Sequence, residues 1–360
     1  MRVLVAPDKF AGTLTAVEAA EAIAAGWRRR APGDEIDLAP MADGGPGFVD
    51  VLHAALGGEV LAVTVSAPHG EQVPATLLRV GEVAYVESAQ ACGRPLVEAD
   101  VELATTVGVG ELVLAALDSG ARRVVVGLGG SGTNDGGAGL LAALGARSDG
   151  PLDAGAVGLG AVTSVDLTPA RDRLAGVELV AATDVENPLT GMFGATRTFG
   201  PQKGVREDRV VEVDGWLESF AAATDQRTSL EKGAGAAGGL GFALLLLGAS
   251  REPGIALVAD AVQLPRRARE ADLMLTGEGA FDFSSRSGKV PYGVASIAAE
   301  ALRPCVALAG QVLVGSREMR ALGVESAYSL VDMVGEERAF ADPAGALAEV
   351  ASRVARSWSY

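Results

Sequence analysis

Cysteine, histidine and lysine are all scarce in this 360-residue chain. With only Cys92 and Cys305, far apart in sequence, a disulfide framework is excluded and a reducing, cytoplasmic compartment is expected. His53 and His69 have no ligand spacing between them, so a histidine metal centre is excluded and both read as structural or surface residues. The chain lacks a solidly apolar run of about 20 residues. The uncharged stretch 233–250 is glycine and alanine in its first half, and reads as a buried loop and helix. The start, MRVLVAPDKF, is too short an apolar run for a signal peptide and reads as a first buried strand. A basic stripe is missing too. With a formal charge of −16 and a pI near 4.6, binding to nucleic acid or to an anionic membrane is excluded, and any anionic ligand must be held by local groups.

The few lysines fall in telling places. Against 26 arginines there are four lysines: Lys9 in PDKFAGT, Lys203 in FGPQKG, Lys232 in EKGAGAAGGLG and Lys289 in SGKVPYG. Each lies in or beside a glycine-bearing segment. A compact ammonium on a flexible stem suits a phosphate binder, although Lys232 also reads as a solvated surface charge.

The segment GLGGSGTNDGGAG, residues 127–139, has seven glycines in thirteen positions. It sits between an apolar run at 124–126 and a helical-looking stretch at 140–144, hence strand, flexible turn, helix start. Such a turn converges backbone N–H groups and aims a helix N-terminus at one spot, which suits an anion. Gly129, Gly130, Ser131, Thr133 and Asn134 are the expected cradle. A purely structural glycine turn is the alternative.

Short β-type runs alternate with longer helical ones, the pattern of α/β architecture. A strand over 2–6, a helix over 15–30 capped by Thr13 or Thr15, a strand over 35–39 and a helix over 48–56 open the chain. Strands over 272–276, 305–309 and 327–331 and helices over 290–302 and 344–358 close it. Residues 59–87, rich in valine and threonine, read as antiparallel hairpins. The expectation is a Rossmann-like domain with a parallel sheet, made of 1–66 and 268–360. A mixed α/β domain, 67–267, carrying the glycine-rich loop is inserted into it.

Six polar clusters follow expected strands or open expected helices: residues 7–15, 41–47, 127–139, 182–191, 199–204 and 275–293. In open α/β sheets such clusters converge at the carboxyl ends of strands. Their side chains suit phosphoryl transfer, with lysines and amides for phosphates, carboxylates for Mg²⁺ and one aspartate as proton acceptor. Asp8, Lys9, Asp184, Lys203 and Lys289 are the catalytic candidates. Asp135, Asp184, Glu278 and Asp282 are the metal candidates, with helix capping open for Asp135 and plain solvation for Glu278 and Asp282. Gly127, Gly129 and Gly132 match GxGxxG, but no acid ends a strand about twenty residues on, so a nicotinamide-dependent oxidoreductase is the weaker reading. The phosphate loop GxxxxGK[ST] is absent.

Together the blocks PDKFAGTLTA, PMADGGPG, GLGGSGTNDGGAG, DVENPLTG with FGPQKG, GAGAAGGLG, and TGEGAFD with GKVPYGVA resemble the bacterial glycerate kinase family that forms 2-phosphoglycerate. The resemblance spans residues 3–310. It implies two α/β domains with the active site between them, and ATP- and Mg²⁺-dependent phosphorylation of D-glycerate at O2 by a monomer or homodimer. A kinase for another small hydroxy acid, a glycerate 3-kinase and a non-catalytic ligand-binding regulator are the alternatives. The chain departs from the family pattern at Ala11, Pro46, Gly132 and Ser284, where a basic residue, glutamate, alanine and glutamine are usual.

Overall fold

The computed structural model describes residues 1–10, 12–98, 100–282 and 289–359. Ala11 and Ser284 therefore lie outside the described residues. In chain order the strands are β1 Arg2–Val5, β2 Glu35–Leu38, β3 Glu59–Ser66, β4 Gln72–Val80, β5 Val83–Glu87, β6 Arg123–Gly127 and β7 Arg147–Ser148. They continue as β8 Val165–Asp166, β9 Glu178–Ala182, β10 Ser250–Glu252, β11 Leu273–Phe281, β12 Cys305–Val312 and β13 Ser326–Ser329. The chain divides into two compact units, Met1–Asp43 with Asp50–Leu56 and Ile255–Tyr360, and Gly44–Val49 with Gly57–Gly254.

The first unit is built on a parallel sheet in the order β13-β12-β11-β1-β2. Its apolar strands face a core of Val3, Val5, Leu275, Val306 and Leu308, packed against Ile23 and Trp27 of helix Ala16–Arg30 and Leu347 and Val350 of helix Pro343–Trp358. The first helix begins at Thr15 because Thr15 and Glu18 form a reciprocal capping box, the arrangement that satisfies two orphan N–H groups at once. Strand β11 runs to Phe281, well past the expected end at 276, so Glu278 is a strand residue. Strand β13 stops early. Ser329 accepts from the Asp332 amide and caps helix Leu330–Val334, and this local cap overrides the β-type run that suggested a longer strand.

The second unit carries a six-stranded mixed sheet, β10-β9-β6-β5-β4-β3. Its first four strands run parallel, and β5-β4-β3 form an antiparallel meander, as the valine–threonine alternation predicts. Strand β3 pairs along its full length with β4 and so belongs to this unit. The chain passes between the units at 43/44, 49/50, 56/57 and 254/255, against the 66/67 and 267/268 read from the sequence. Turn signals mark hairpins more strongly than they mark the loop that leads into one. Among the described residues no helix is long and apolar enough to cross a membrane.

Candidate functional site

In the first unit, backbone pairing continues past the end of β1, with the Asp8 amide donating to Gly277 O at 2.8 Å. Asp8 is thereby carried to the carboxyl edge of the sheet beside Glu278, where parallel sheets present their ligand sites. Asp8 is 6% exposed and accepts from the Lys9 amide at 2.8 Å. The Lys9 ammonium stands 3.5 Å from Asp8 and 3.9 Å from Asp43. Burial pushes the Asp8 carboxyl from its ordinary 3.8 up to about 7. The Lys9 ammonium and amide oppose that rise, while Asp43 and Glu278 add to it. A carboxylate poised near neutrality can accept a proton in the physiological range.

Lys289 occupies the N-cap position of helix Val290–Glu300. Its ammonium lies 3.6 Å from both Glu278 and Asp282. These two carboxylates are not simply solvated, since Glu278 is 5% exposed and they share one cation. Lys9 and Lys289 thus each bridge two acids, the first pair following β1 and β2 and the second at the end of β11.

In the second unit the register aligns Glu87 with Gly127 and Gly127 with Ala182. The carboxyl ends of β5, β6 and β9 therefore lie in one row, from which the glycine-rich loop and Asp184 emerge. Glycine is required here by backbone approach. A Cβ at Gly127 would sit 2.5 Å from Gly44 O, and one at Gly129 2.5 Å from Gly45 Cα. Gly129 also donates to Gly44 O at 3.0 Å. Glu87, missed in the sequence reading, orders the partner segment by accepting from the Gly47 and Val49 amides. An acid ending the apolar run VAYVE was its signal. Only the tip of the loop, Gly129, Gly130 and Ser131, reaches solvent, and Gly130 adopts φ +78°.

The rest of the loop differs from the anion cradle expected of it. Thr133 and Asn134 are 0% and 1% exposed; Asn134 Nδ2 donates to Thr196 Oγ1 at 2.9 Å, whereas Thr133 Oγ1 and Asn134 Oδ1 are buried with no hydrogen-bond partner among the described residues. Asp135 accepts from the Thr106 amide and hydroxyl and from Gly137 and Gly139. It caps the six-residue helix Ala138–Ala143 from inside. The helix N-terminus is already satisfied by a carboxylate, and both Asp135 oxygens are committed, which argues against its candidacy as a metal ligand. Behind the loop, the block GAGAAGGLG packs backbone on backbone: a Cβ at Gly238 would stand 2.0 Å from Thr133 O. At Gly132, the family's usual alanine would place its Cβ 2.6 Å from Val97 Cγ2, so this chain is packed for glycine.

Lys203 is 6% exposed and donates to Ser131 Oγ at 2.9 Å and Thr133 O at 2.7 Å. Burial lowers its ammonium from 10.5 to about 8, against the fields of Cys92 and Asp135. It is tied to the exposed tip as a brace. Cys92 and Cys305 are free and buried, and burial pushes both thiols up to about 12. Asp184, half-buried, stands just past the end of β9. Its neighbour Glu186 is exposed and pairs with Lys232 at 2.8 Å, while Asn187 donates to Phe193 O. Lys232, 68% exposed, is a surface charge. His53 is exposed and His69 half-buried.

The model of the glycerate kinase family matches residues 3–359. The glycerate kinase of Bacillus subtilis is 40% identical over 345 residues, 92% of this chain and 90% of that protein. The glycerate 2-kinase of Escherichia coli is 38% identical, covering 93% of this chain and 92% of its own length. A crystal structure of a Salmonella typhimurium protein assigned as glycerate kinase 2 superposes with a TM-score of 0.81 at 35% identity, over 99% of this chain and 98% of that one. By its full-length match, its sequence relatives and its fold, the chain belongs to the glycerate kinase family.

Proposed function

We propose that this protein phosphorylates D-glycerate at O2, giving 2-phospho-D-glycerate, with ATP as donor and Mg²⁺ as its counter-ion. Family membership supplies the reaction class. The observation that carries the mechanism is Asp8, a buried carboxylate with a pKa of about 7 held beside the Lys9 ammonium.

Bound Mg-ATP supplies the transferable phosphoryl group and neutralises part of its charge. Asp8 accepts the proton of the substrate hydroxyl. Lys9 keeps Asp8 and Asp43 compatible at close range and offers its ammonium to the substrate carboxylate. Lys289, balanced between Glu278 and Asp282, stabilises negative charge on the transferring group. Asp184 is a hard oxygen donor at a strand end and fits Mg²⁺. The glycine tip 129–131 has no bulky side chain to hold a phosphate away, and Lys203 keeps that tip in place through Ser131. The resemblance and the two unpaired, buried cysteines together favour a cytoplasmic monomer or homodimer.

ADP release by the purified protein, measured with D-glycerate, L-glycerate and no acceptor, tests this reading. Release that depends on D-glycerate is expected. Stabilisation by NAD with no ADP formed would favour an oxidoreductase, and stabilisation by glycerate without ATP turnover would favour a ligand-binding regulator.

A further inference from the structure

On one face of the parallel sheet the side chains stop before the strands do. Leu273 and Leu275 on β11, and Val306 and Leu308 on β12, fill a single core with Phe10. Further along the same face stand Gly277 and then Gly279 on β11, and Gly310 on β12. Strand approach demands these glycines, since a Cβ at Gly277 would lie 2.2 Å from Leu308 O and one at Gly310 2.4 Å from Gly279 O. A cavity of about 260 Å³ results at the carboxyl edge, lined by Gly279, Gly310 and Gln311 of the strands together with Phe10, Leu330 and Phe340. Phe10 is 3% exposed, whereas Phe340 is 61% exposed beside the opening.

We propose that this cavity receives the purine base of the phosphoryl donor, an inference that rests on the kinase reading above. Whole small ligands occupy roughly 300–1,000 Å³, so this volume suits a fused ring more than an entire nucleotide. Its apolar walls, with two phenylalanines, select a flat aromatic ring, since aromatic faces gain from stacking and edge contacts. A small hydroxy acid gains nothing there. The wall also adjoins the cationic groups in sequence: Lys9 precedes Phe10, and Gly279 follows Glu278, the partner of Lys289. A cavity of about 390 Å³ beside edge strand β2 is less suited, because its Arg267 is already committed to Asp37 and to Leu38 O.

The test is photolabelling with 8-azido-ATP, read by peptide mapping, alongside equilibrium binding of ATP and of inorganic tripolyphosphate. Label that ATP displaces is expected in peptides containing Phe10 or Phe340. Phe340→Ala, at an exposed position that folding tolerates, should weaken ATP binding about tenfold, as loss of base stacking does, and leave tripolyphosphate binding unchanged. Phe340→Tyr should restore it. If wild type binds ATP, but Phe340→Ala binds it equally well and the label falls elsewhere, this proposal fails alone. Wild type that neither binds ATP nor consumes it with glycerate overturns the kinase reading and this proposal with it.

Discussion

Replacing Asp8 by asparagine separates catalysis from stability, because the same burial that tunes the carboxylate also strains the fold. Asparagine keeps the shape and an oxygen for the Lys9 amide but cannot accept the substrate proton. Turnover should fall by about 10²- to 10⁴-fold, the usual worth of a positioned base. In wild type, kcat/KM should fall about tenfold per pH unit below 7 as Asp8 takes up its proton, and the variant should lose that limb. Stability moves the other way. The folded-state pKa is about 7 against an ordinary 3.8, so between these values the folded chain binds more protons than the unfolded one. The stability from neutral Asp8 is therefore full below pH 4 and is lost as pH rises through 7. Integrated from pH 5 to pH 8, this amounts to on the order of 2–3 kcal/mol lost by wild type and spared in Asp8→Asn. Urea unfolding at the two pH values, paired with the pH–rate profile, gives both numbers. A variant with wild-type turnover refutes the base assignment, and one whose stability follows wild type in parallel across that range refutes burial as the cause of the raised pKa.

Asp184→Asn should fold normally and lose about 10²-fold in kcat, with partial rescue by raised Mg²⁺ or by Mn²⁺; activity unmoved at ordinary Mg²⁺ would remove Asp184 from the site. Lys289→Ala should cost about 10²-fold in kcat, with poor rescue by arginine, and near-normal turnover would make it a surface residue. Asp135→Asn should cost about 3 kcal/mol in urea unfolding, since an amide nitrogen would face backbone donors in a dry pocket; a loss below about 1 kcal/mol would contradict the capping role. Lys203 is held below its ordinary pKa by burial, so its desolvation penalty is relieved as pH rises from about 8 to 10.5. Wild type should therefore gain stability relative to Lys203→Met over that window, and a constant difference would contradict the buried position.

The alternation of β-type runs and helical stretches was legible because strands buried on both faces and Ala-rich helices differ in period and length. Helix 48–56 and the 59–87 meander follow from pattern alone. The glycine-rich loop was legible as a turn, but its role was not. Sequence marks where backbone is free of Cβ, not whether the space is taken by a ligand or by another backbone. Here Gly44–Gly45 and Gly238 take much of it, which is why Thr133, Asn134 and Asp135 are buried away from the exposed tip. The acids had the same ambiguity. Asp8 and Asp184 both follow strands, and it is the structure that shows Asp8 buried near Asp43 and Glu278, with its pKa raised. Glu278 looked like a loop residue because GEGAF is rich in glycine, yet pairing with β12 extends the strand through it.

Phosphorus NMR of the product formed from D-glycerate and Mg-ATP tests the central claim most directly, because the phosphate on a secondary carbon couples to one vicinal methine proton and that on a primary carbon to two methylene protons. The account predicts a doublet from 2-phospho-D-glycerate as the sole phosphorylated acid. A triplet from 3-phosphoglycerate, or ATP left unconsumed in the presence of D-glycerate, would contradict it.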